Sequence, residues 1–463
     1  MLIFAKRFLF IAAGIIVLAA LVLLCVNLYL QSDGVQQRIR DSAERALGGE
    51  VKIRSSMYLP WSGFVIRGIT VPDPTNANIN FAEAEALRIR FALRPLAEGR
   101  FVITECTVFQ PKLVVRQLEN GEWVIPLGRE RVEATEVPKE APTTPGKGVS
   151  FRTELQNIRL RGGSIVFLNA KNRAIVSLDK TNISANIAPD RSAAGTFEIG
   201  RSDFFGSLKP RKIGGPFTWD GNNLDIPEIQ GLLAGGKLTG KFHMQTREQP
   251  GFTLALQLSG VLLRKLAEDA QVEPGKTEGF LQGSLDMNGD PRDSATLNGV
   301  GQFELVSAQL KPVEFLVKLG ELLQIDELQL LKLSDARINA TIRDERVHID
   351  DMTLKSDNLI LQGTGPVRFN GKINLDASLM VNRKIQKQLK GVLSRNFVDS
   401  EDPEYRQLPF TVTGRVDNPK TDLLDKLIGA KVGQDVGGML MNILRSSATP
   451  KPDNKKEAAT QGN

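Results

Sequence analysis

The sequence predicts a mainly β protein with minor α-helix, in which one N-terminal transmembrane helix precedes a long antiparallel β-sheet with a few amphipathic helices at its ends. Three observations support this prediction. An apolar run of 19 residues, Phe8–Val26, lies near the start of the 463-residue chain. Beyond residue 50, apolar residues mostly alternate with polar ones, which is the period of a half-buried strand. Glycine, at 42 residues, exceeds its usual level of about 7% and suits many turns and strand kinks.

The apolar run fits an uncleaved membrane anchor. About 20 apolar residues span a bilayer, whereas a secretory signal peptide has a core of about 7–15 residues and a small-residue cleavage site. No such site follows Val26, and Leu24 stands where a lipoprotein signal needs a small residue before Cys25. Lys6 and Arg7 favour a cytoplasmic N-terminus. We therefore expect a single-pass protein of the cell inner membrane with its bulk in the periplasm.

Changes in composition divide the chain into six segments. Helical spacing of apolar residues precedes the first strands, and Pro and charged residues dominate the middle linker. The expected segments are the anchor 1–30, a helix-plus-strand module 31–125, a linker or loop 126–148, a β-rich region 149–382 with a helix near 312–323, C-terminal strands and amphipathic helices 383–445, and a disordered tail 446–463.

Alternation gives most strands one apolar face, and too few helices lie between residues 50 and 305 to cover it. The sheet can close on itself as a sandwich or barrel, or its apolar face can line a groove that an apolar ligand covers. The residues alone leave both solutions open and favour the closed sheet, because sandwiches are common. The apolar-face positions are Leu87, Ile89, Phe91, Leu93, Ile338, Ile342, Val347, Ile349, Leu359, Leu361, Val367, Phe369, Ile373, Leu375 and Leu379.

Charge and residue types argue against several chemistries. The net charge of +6 comes from interleaved signs without a basic block, so we expect no nucleic-acid partner. Two His and two Cys lie too far apart in sequence for a metal site. The Gly-Lys-Thr segment at 275–277 resembles a phosphate-binding loop, but Ala270 stands where the strict pattern needs Gly.

Catalytic groups are also missing from the sequence pattern. His243 and His348 each fall on a strand pattern without a recognised nucleophile nearby. Asp350 and Asp351 fit a solvated turn after Ile349. We therefore expect no enzyme, no cofactor and no catalytic, metal-binding or cofactor-binding residue.

A series of short motifs follows the anchor in a distinctive order. They are Val35-Gln-Gln-Arg-Ile39, Ala46-Leu-Gly-Gly49, Val51-Lys-Ile53, Ala86-Leu-Arg-Ile-Arg-Phe91, Asn120-Gly-Glu-Trp123, Asn298-Gly-Val-Gly301, Leu361-Gln-Gly-Thr-Gly365 and Phe410-Thr-Val-Thr-Gly-Arg-Val416. This order resembles the AsmA-like family of bacterial envelope proteins, which is related to the TamB-type bridge-like lipid-transfer proteins. Region 126–280 fits the family pattern less well.

The resemblance implies a long, curled, groove-like sheet that is anchored in the inner membrane and projects into the periplasm. It implies a role in outer-membrane biogenesis or homeostasis through binding or transfer of phospholipid, and the apolar-face positions would line the groove. Membrane phospholipids and the inner membrane would be its partners, together with other envelope proteins or a second copy of the chain. The alternative is a non-catalytic envelope scaffold or interaction protein with a closed β core and no ligand.

Overall fold

The computed structural model defines a mainly β protein with a large antiparallel sheet. By its internal contacts the chain divides into two compact units. Unit 1 contains residues 1–258 and 265–272, and unit 2 contains residues 259–264 and 273–463. The structure describes residues 50–59, 62–73, 76–92, 94–95, 100–118, 123–124, 152–247, 250–271, 277–290, 292–310, 331–388, 395–416 and 418–428, with Val317 and single positions between 24 and 44.

Unit 1 is built from long strands, many of which join through tight turns. At one such turn the Asn169 carboxamide oxygen accepts hydrogen bonds from the backbone N–H groups of Lys171 and Arg173, both at 3.0 Å. The strands are β1 (Lys52–Leu59), β2 (Gly63–Asp73), β3 (Asn76–Phe91), β4 (Arg100–Phe109), β5 (Lys112–Gln117), β6 (Trp123–Val124), β7 (Arg152–Leu155), β8 (Asn157–Leu168), β9 (Ala174–Ile187), β10 (Ala193–Phe204), β11 (Arg211–Trp219), β12 (Asn223–Leu233), β13 (Gly236–Gln245) and β14 (Gly251–Leu262), of which 259–262 belong to unit 2.

Strand pairing in unit 1 is antiparallel except at one place. Strands β1 to β4 pair in sequence, and so do β8 to β13. Between them, β4 runs parallel to β7 and β8, and β5 runs parallel to β8. Parallel neighbours need a crossover of a dozen or more residues, and the chain between β6 and β7 has that length.

Unit 2 is an antiparallel meander with short helices near its end. Asp344 and Glu345 form a tight turn, since both residues have positive φ (51° and 56°) and join two paired strands. The strands are β15 (Glu278–Gly289), β16 (Asn298–Leu310), β17 (Leu331–Lys332), β18 (Asp335–Arg343), β19 (Arg346–Lys355), β20 (Leu359–Arg368), β21 (Lys372–Asn382), β22 (Val398–Asp399), β23 (Tyr405–Arg415) and β24 (Asn418–Thr421). A first helix, α1 (Leu263–Asp269), follows β14, and its residues 265–269 belong to unit 1. The helices near the end of unit 2 are α2 (Arg383–Gln388) and α3 (Leu423–Ile428).

A closed hydrophobic core occupies one end of unit 2. Helices α2 and α3 place Ile385, Leu423 and Leu427 against the sheet, and all three are fully buried. Their sheet partners include Leu379 and Leu408, exposed by only 3% and 2%. In α3 the apolar residues Leu423 and Leu427 are four positions apart and so lie on one face of the helix, whereas α2 contributes the single apolar residue Ile385.

The N-terminal segment contacts the first strand. Residues 34–37, 40, 41 and 44 are described and helical, as the sequence predicts. The Asn27 carboxamide donates a hydrogen bond to the Tyr58 carbonyl and accepts one from the Tyr58 N–H, both at 2.9 Å. Gln36 donates to the buried Ser56 hydroxyl at 2.9 Å. In the part of the chain that the structure describes, no helix is long and apolar enough to span a membrane.

Several sequence predictions fall on residues that are not described. Apart from Leu24, the predicted anchor 8–26 lies outside the described residues, as do the linker 126–148, the 275–276 part of the Gly-Lys-Thr segment and the tail 446–463. Only Val317 is described within the helix predicted near 312–323, and that position is helical. The mainly β class and the large antiparallel sheet are confirmed.

Candidate functional site

The candidate site in unit 1 is an apolar face that crosses seven strands. Cross-strand register places its members directly beside one another, and side chains that are paired in register point to the same face. One row runs from β2 to β11 through Ile66, Leu87, Val108, Leu160, Ile183, Phe197 and Gly215, and the row beside it runs through Phe64, Ile89, Cys106, Ile158, Ala185, Gly195 and Phe217. We call these residues the unit 1 apolar face.

Most side chains of the unit 1 apolar face are only half-buried. Ile66 and Ala185 are buried, at 7% and 8% exposure, but Leu87, Ile183 and Phe197 are not. A closed core would bury such residues nearly completely. This face therefore leaves part of its hydrocarbon surface uncovered by the described residues.

Glycines make room for aromatic rings on this face. Phe197 pairs with Gly215, and Phe217 pairs with Gly195. A Cβ atom on Gly215 would lie 1.9 Å from the Glu228 carbonyl oxygen, so a larger residue cannot fit without a backbone shift. Gly195 and Gly215 interrupt the apolar alternation of β10 and β11, so the sequence pattern alone does not mark these strands as part of the face.

Unit 2 carries a second apolar face, which contains most of the positions predicted from the second half of the sequence. Ile342 pairs with Val347, Val347 with Val367, and Val367 with Ile373. A parallel row runs through Gly283, Phe303, Ile338, Met352, Gly363, Ala377 and Phe410, and Ile349, Leu375 and Val412 lie between the two rows. We call this set the unit 2 apolar face.

A β-bulge keeps strand β19 in phase with this face. Ile349 pairs with Ala340 but Met352 pairs with Ile338, so β19 has one residue more than β18 in this interval. The bulge lets Ile349 and Met352 both point to the apolar face. Asp350 and Asp351 lie within β19 at the bulge, both exposed. Their assignment to a turn was wrong, because the sequence pattern of a bulge resembles that of a strand end.

The unit 2 apolar face changes from closed to open along its strands. Leu359 and Leu379, which were predicted to line the face, lie in the closed core at 2% and 3% exposure, and Leu361 packs against that core. Ile373 is buried at 9%. The remaining predicted positions on the face are half-buried, and they are Ile338, Ile342, Val347, Ile349, Val367 and Leu375.

Three predicted positions are not among the residues of the two apolar faces. Phe91 lies at the end of β3, where its ring stacks on Tyr58 with centroids 6.0 Å apart. Leu93 lies outside the described residues. Phe369 lies in the turn after β20 with 47% of its surface exposed, since the strand ends at Arg368 before alternation can carry it to the face.

Each of the two histidines lies near an aspartate. His243 Nδ1 lies 3.5 Å from Asp225 Oδ1, and His348 Nδ1 lies 3.6 Å from Asp350 Oδ1, with both pairs half-exposed. Burial raises the pKa of the Cys106 thiol, which makes its thiolate scarce at neutral pH. Among the described residues, no group of three or more His, Cys, Asp or Glu is placed to hold a metal ion.

Comparison with known proteins adds no relative. No protein-family model matches the chain, and no curated protein matches it. The functional proposal below therefore depends on the two apolar faces and on the motifs noted in the sequence.

Proposed function

We propose that this protein binds membrane phospholipid on its apolar faces, and transfers it, in the periplasm of a bacterial envelope. The observation that supports the proposal is the pair of continuous, half-exposed apolar faces, one in each unit. The proposed role is non-enzymatic and belongs to outer-membrane biogenesis or homeostasis, in line with the resemblance to the AsmA-like family. In this proposal each sheet curls into a groove whose apolar side holds the acyl chains.

Acyl chains suit these faces chemically. Transfer of apolar surface from water gains about 25 cal/mol per Å², without directional contacts, so chains can bind and slide. The opposite side of the same strands is polar: Asn374, Asp376 and Thr413 alternate with face residues and are exposed. A lipid would keep its headgroup in water while its chains cover the face.

An N-terminal membrane anchor would place unit 1 beside the source of lipid. The predicted anchor is the run 8–26, and the helical residues Leu24, Leu28 and Tyr29 are exposed by 55%, 59% and 64%. Exposed apolar residues on a helix suit a lipid environment. Asn27 contacts β1 through its two hydrogen bonds with Tyr58. We propose a cytoplasmic N-terminus and a periplasmic bulk because Lys6 and Arg7 precede the anchor.

A comparison of aspartate substitutions tests the proposal. Ile349→Asp and Leu375→Asp place a charge on the half-buried part of the unit 2 apolar face. We expect both variants to fold and to copurify with less phospholipid than the wild type under mild extraction, because the unit 2 apolar face no longer holds its share, as measured by native mass spectrometry. Leu379→Asp buries an unpaired charge in the closed core, so we expect it to destabilise folding by several kcal/mol.

Asn374→Asp is the matched control, because it adds the same charge one residue away on the exposed side of β21. It should keep wild-type lipid and wild-type abundance. If gently extracted wild type carries no phospholipid, or if Ile349→Asp and Leu375→Asp unfold as Leu379→Asp does, the envelope scaffold with a closed β core becomes the better function.

A further inference from the structure

A polar cavity of about 880 Å³ lies on strands β1, β2 and β3 of unit 1. Ser55, Ala84 and Ala86 line it with small side chains, which leave the space open. Its volume falls within the range of about 300–1,000 Å³ that is common for small-molecule sites. The cavity is thus large enough for an organic ligand and not only for a single ion.

Two arginines project into this space from adjacent strands. Arg67 pairs in register with Ala86, and Arg88 pairs with Val65, so the two arginines are diagonal neighbours on one side of the sheet. Ile66 and Leu87 alternate with them and point to the unit 1 apolar face. The cavity therefore lies on the side opposite to the proposed lipid surface.

Neither arginine is engaged by a carboxylate. Within the part of the chain that the structure describes, Arg67 and Arg88 have no ion pair, and Arg88 Nε is buried without a hydrogen-bond partner. The Arg88 guanidinium lies over the Phe109 ring, 4.8 Å from its centroid, which fixes its plane. A buried donor without an acceptor is costly, so an acceptor supplied by a ligand would relieve this cost.

Two other arginines of the same sheet form ion pairs with a carboxylate. Glu105, which lies on the same side of β4, is within 3.9 Å of Arg90 and 3.2 Å of Arg159. The Glu105 carboxylate is thus already shared between two other cations. Arg90 and Arg159 do not line the cavity on β1, β2 and β3, whereas Arg67 and Arg88 do.

The remaining charges around the cavity leave an excess of positive charge. Arg54 and Lys112 also line it, as do Glu83 and Glu85. Lys112 Nζ lies 3.9 Å from Glu83 Oε2, so these two charges offset each other. The three arginines then face Glu85 alone, and an anion is the ligand that this balance favours.

We propose that this cavity binds a phosphate ester through Arg67 and Arg88. The planar guanidinium fork matches phosphate oxygens in a bidentate manner, which an ammonium group cannot do. Small floor residues leave space for the organic part of the ester. The ester can belong to a lipid headgroup or to a soluble metabolite, and the chemistry recognised is the same. This inference does not depend on the apolar faces.

Calorimetric titration of the full chain in non-ionic detergent tests the site. The probes are glycerol 3-phosphate as a soluble ester and dihexanoyl phosphatidylglycerol as a headgroup with short chains. We expect saturable binding of at least one probe, weakened about tenfold or more in Arg67→Gln/Arg88→Gln. Tighter binding of glycerol 3-phosphate would identify a soluble ester as the ligand, and tighter binding of the lipid probe would identify a headgroup.

Two further variants keep the test decisive. Arg201→Gln removes one charge from an exposed arginine of β10 outside the cavity, and it should bind as wild type does. Arg88→Lys keeps the charge but loses the fork, so it should weaken binding even if the double variant fails to fold. Wild type that binds neither probe, or an Arg88→Lys variant with unchanged affinity, would overturn the site. Ile349→Asp should leave phosphate binding intact, which separates this result from that of the lipid proposal.

Discussion

Glu105 is a residue of unit 1 whose ionisation depends on its neighbours. Its carboxylate accepts a hydrogen bond from the Thr107 hydroxyl at 2.8 Å and faces Arg159 and Arg90. The Thr107 hydrogen bond, followed by attraction to these arginines, lowers the pKa of Glu105 below its ordinary value of 4.5, against an opposing effect of burial. The carboxylate thus favours the folded state in its ionised form.

Because the pKa of Glu105 is lower in the folded state than in the unfolded state, its contribution is complete above the unfolded value. It is lost as the pH falls below 4.5 toward the folded pKa. We expect Glu105→Gln to lower the urea midpoint at neutral pH and to converge with wild type in acid. The fluorescence of Trp61, Trp123 and Trp219, all in unit 1, would report the transition. A difference that stays constant with pH would contradict the prediction.

Residue types predicted the strands but not every residue that belongs to the apolar faces. Leu87 and Ile89 were recognisable because polar residues separate them. Phe197 and Phe217 were missed because each faces a glycine on the next strand, so the apolar row passes through positions without a side chain. Phe369 is two positions after Val367, the spacing expected of a residue on the same face, but β20 ends one residue earlier, at Arg368. A strand end cannot be located from alternation alone.

At the scale of the element, glycines on the apolar face set how closely neighbouring strands approach. Gly215 on β11 faces the carbonyl oxygen of Glu228 on β12, and its φ is not in the left-handed region. The constraint is therefore steric and comes from the neighbouring strand. The bulge of β19 acts differently, since it adds a residue to restore the phase of a strand that would otherwise turn its apolar side outward.

Gly215→Ala should therefore force β11 away from β12. We expect the free energy of unfolding of unit 1 to fall by about 1–3 kcal/mol, the usual cost of overpacking. Tryptophan fluorescence during urea unfolding measures this change. Gly34→Ala is the control, because nothing lies within 4 Å of the added Cβ and its φ is ordinary. Equal destabilisation by both variants would show that the close approach at Gly215 is not the cause.

At the scale of the whole molecule, each unit carries its own apolar face with its own strand rows. Phe197 lies on the unit 1 apolar face and Ile349 lies on the unit 2 apolar face. Both side chains are half-buried. If acyl chains bind both faces, the lipid content of the protein is the sum of two contributions, and each can be removed separately.

We expect Phe197→Asp and Ile349→Asp each to remove part of the copurified phospholipid, and the double variant to remove nearly all of it. Quantitative lipid mass spectrometry of each purified variant measures the content. Thr196→Asp, on the exposed side of β10, is the control for unit 1. Complete loss of lipid from either single variant would mean that the two faces act as one continuous site and do not load independently.

The Asn27 contact with β1 has a consequence for how copies of the chain meet. Among the described strands, β1 pairs only with β2, so its outer edge offers backbone groups that a foreign strand could join. The Asn27 carboxamide occupies the N–H and C=O of Tyr58 on that edge, in the manner of one residue of a neighbouring strand. If the chain is anchored in a membrane as we propose, its copies share one plane and collide often. A side chain that imitates a strand would keep such collisions from growing into edge-to-edge polymers.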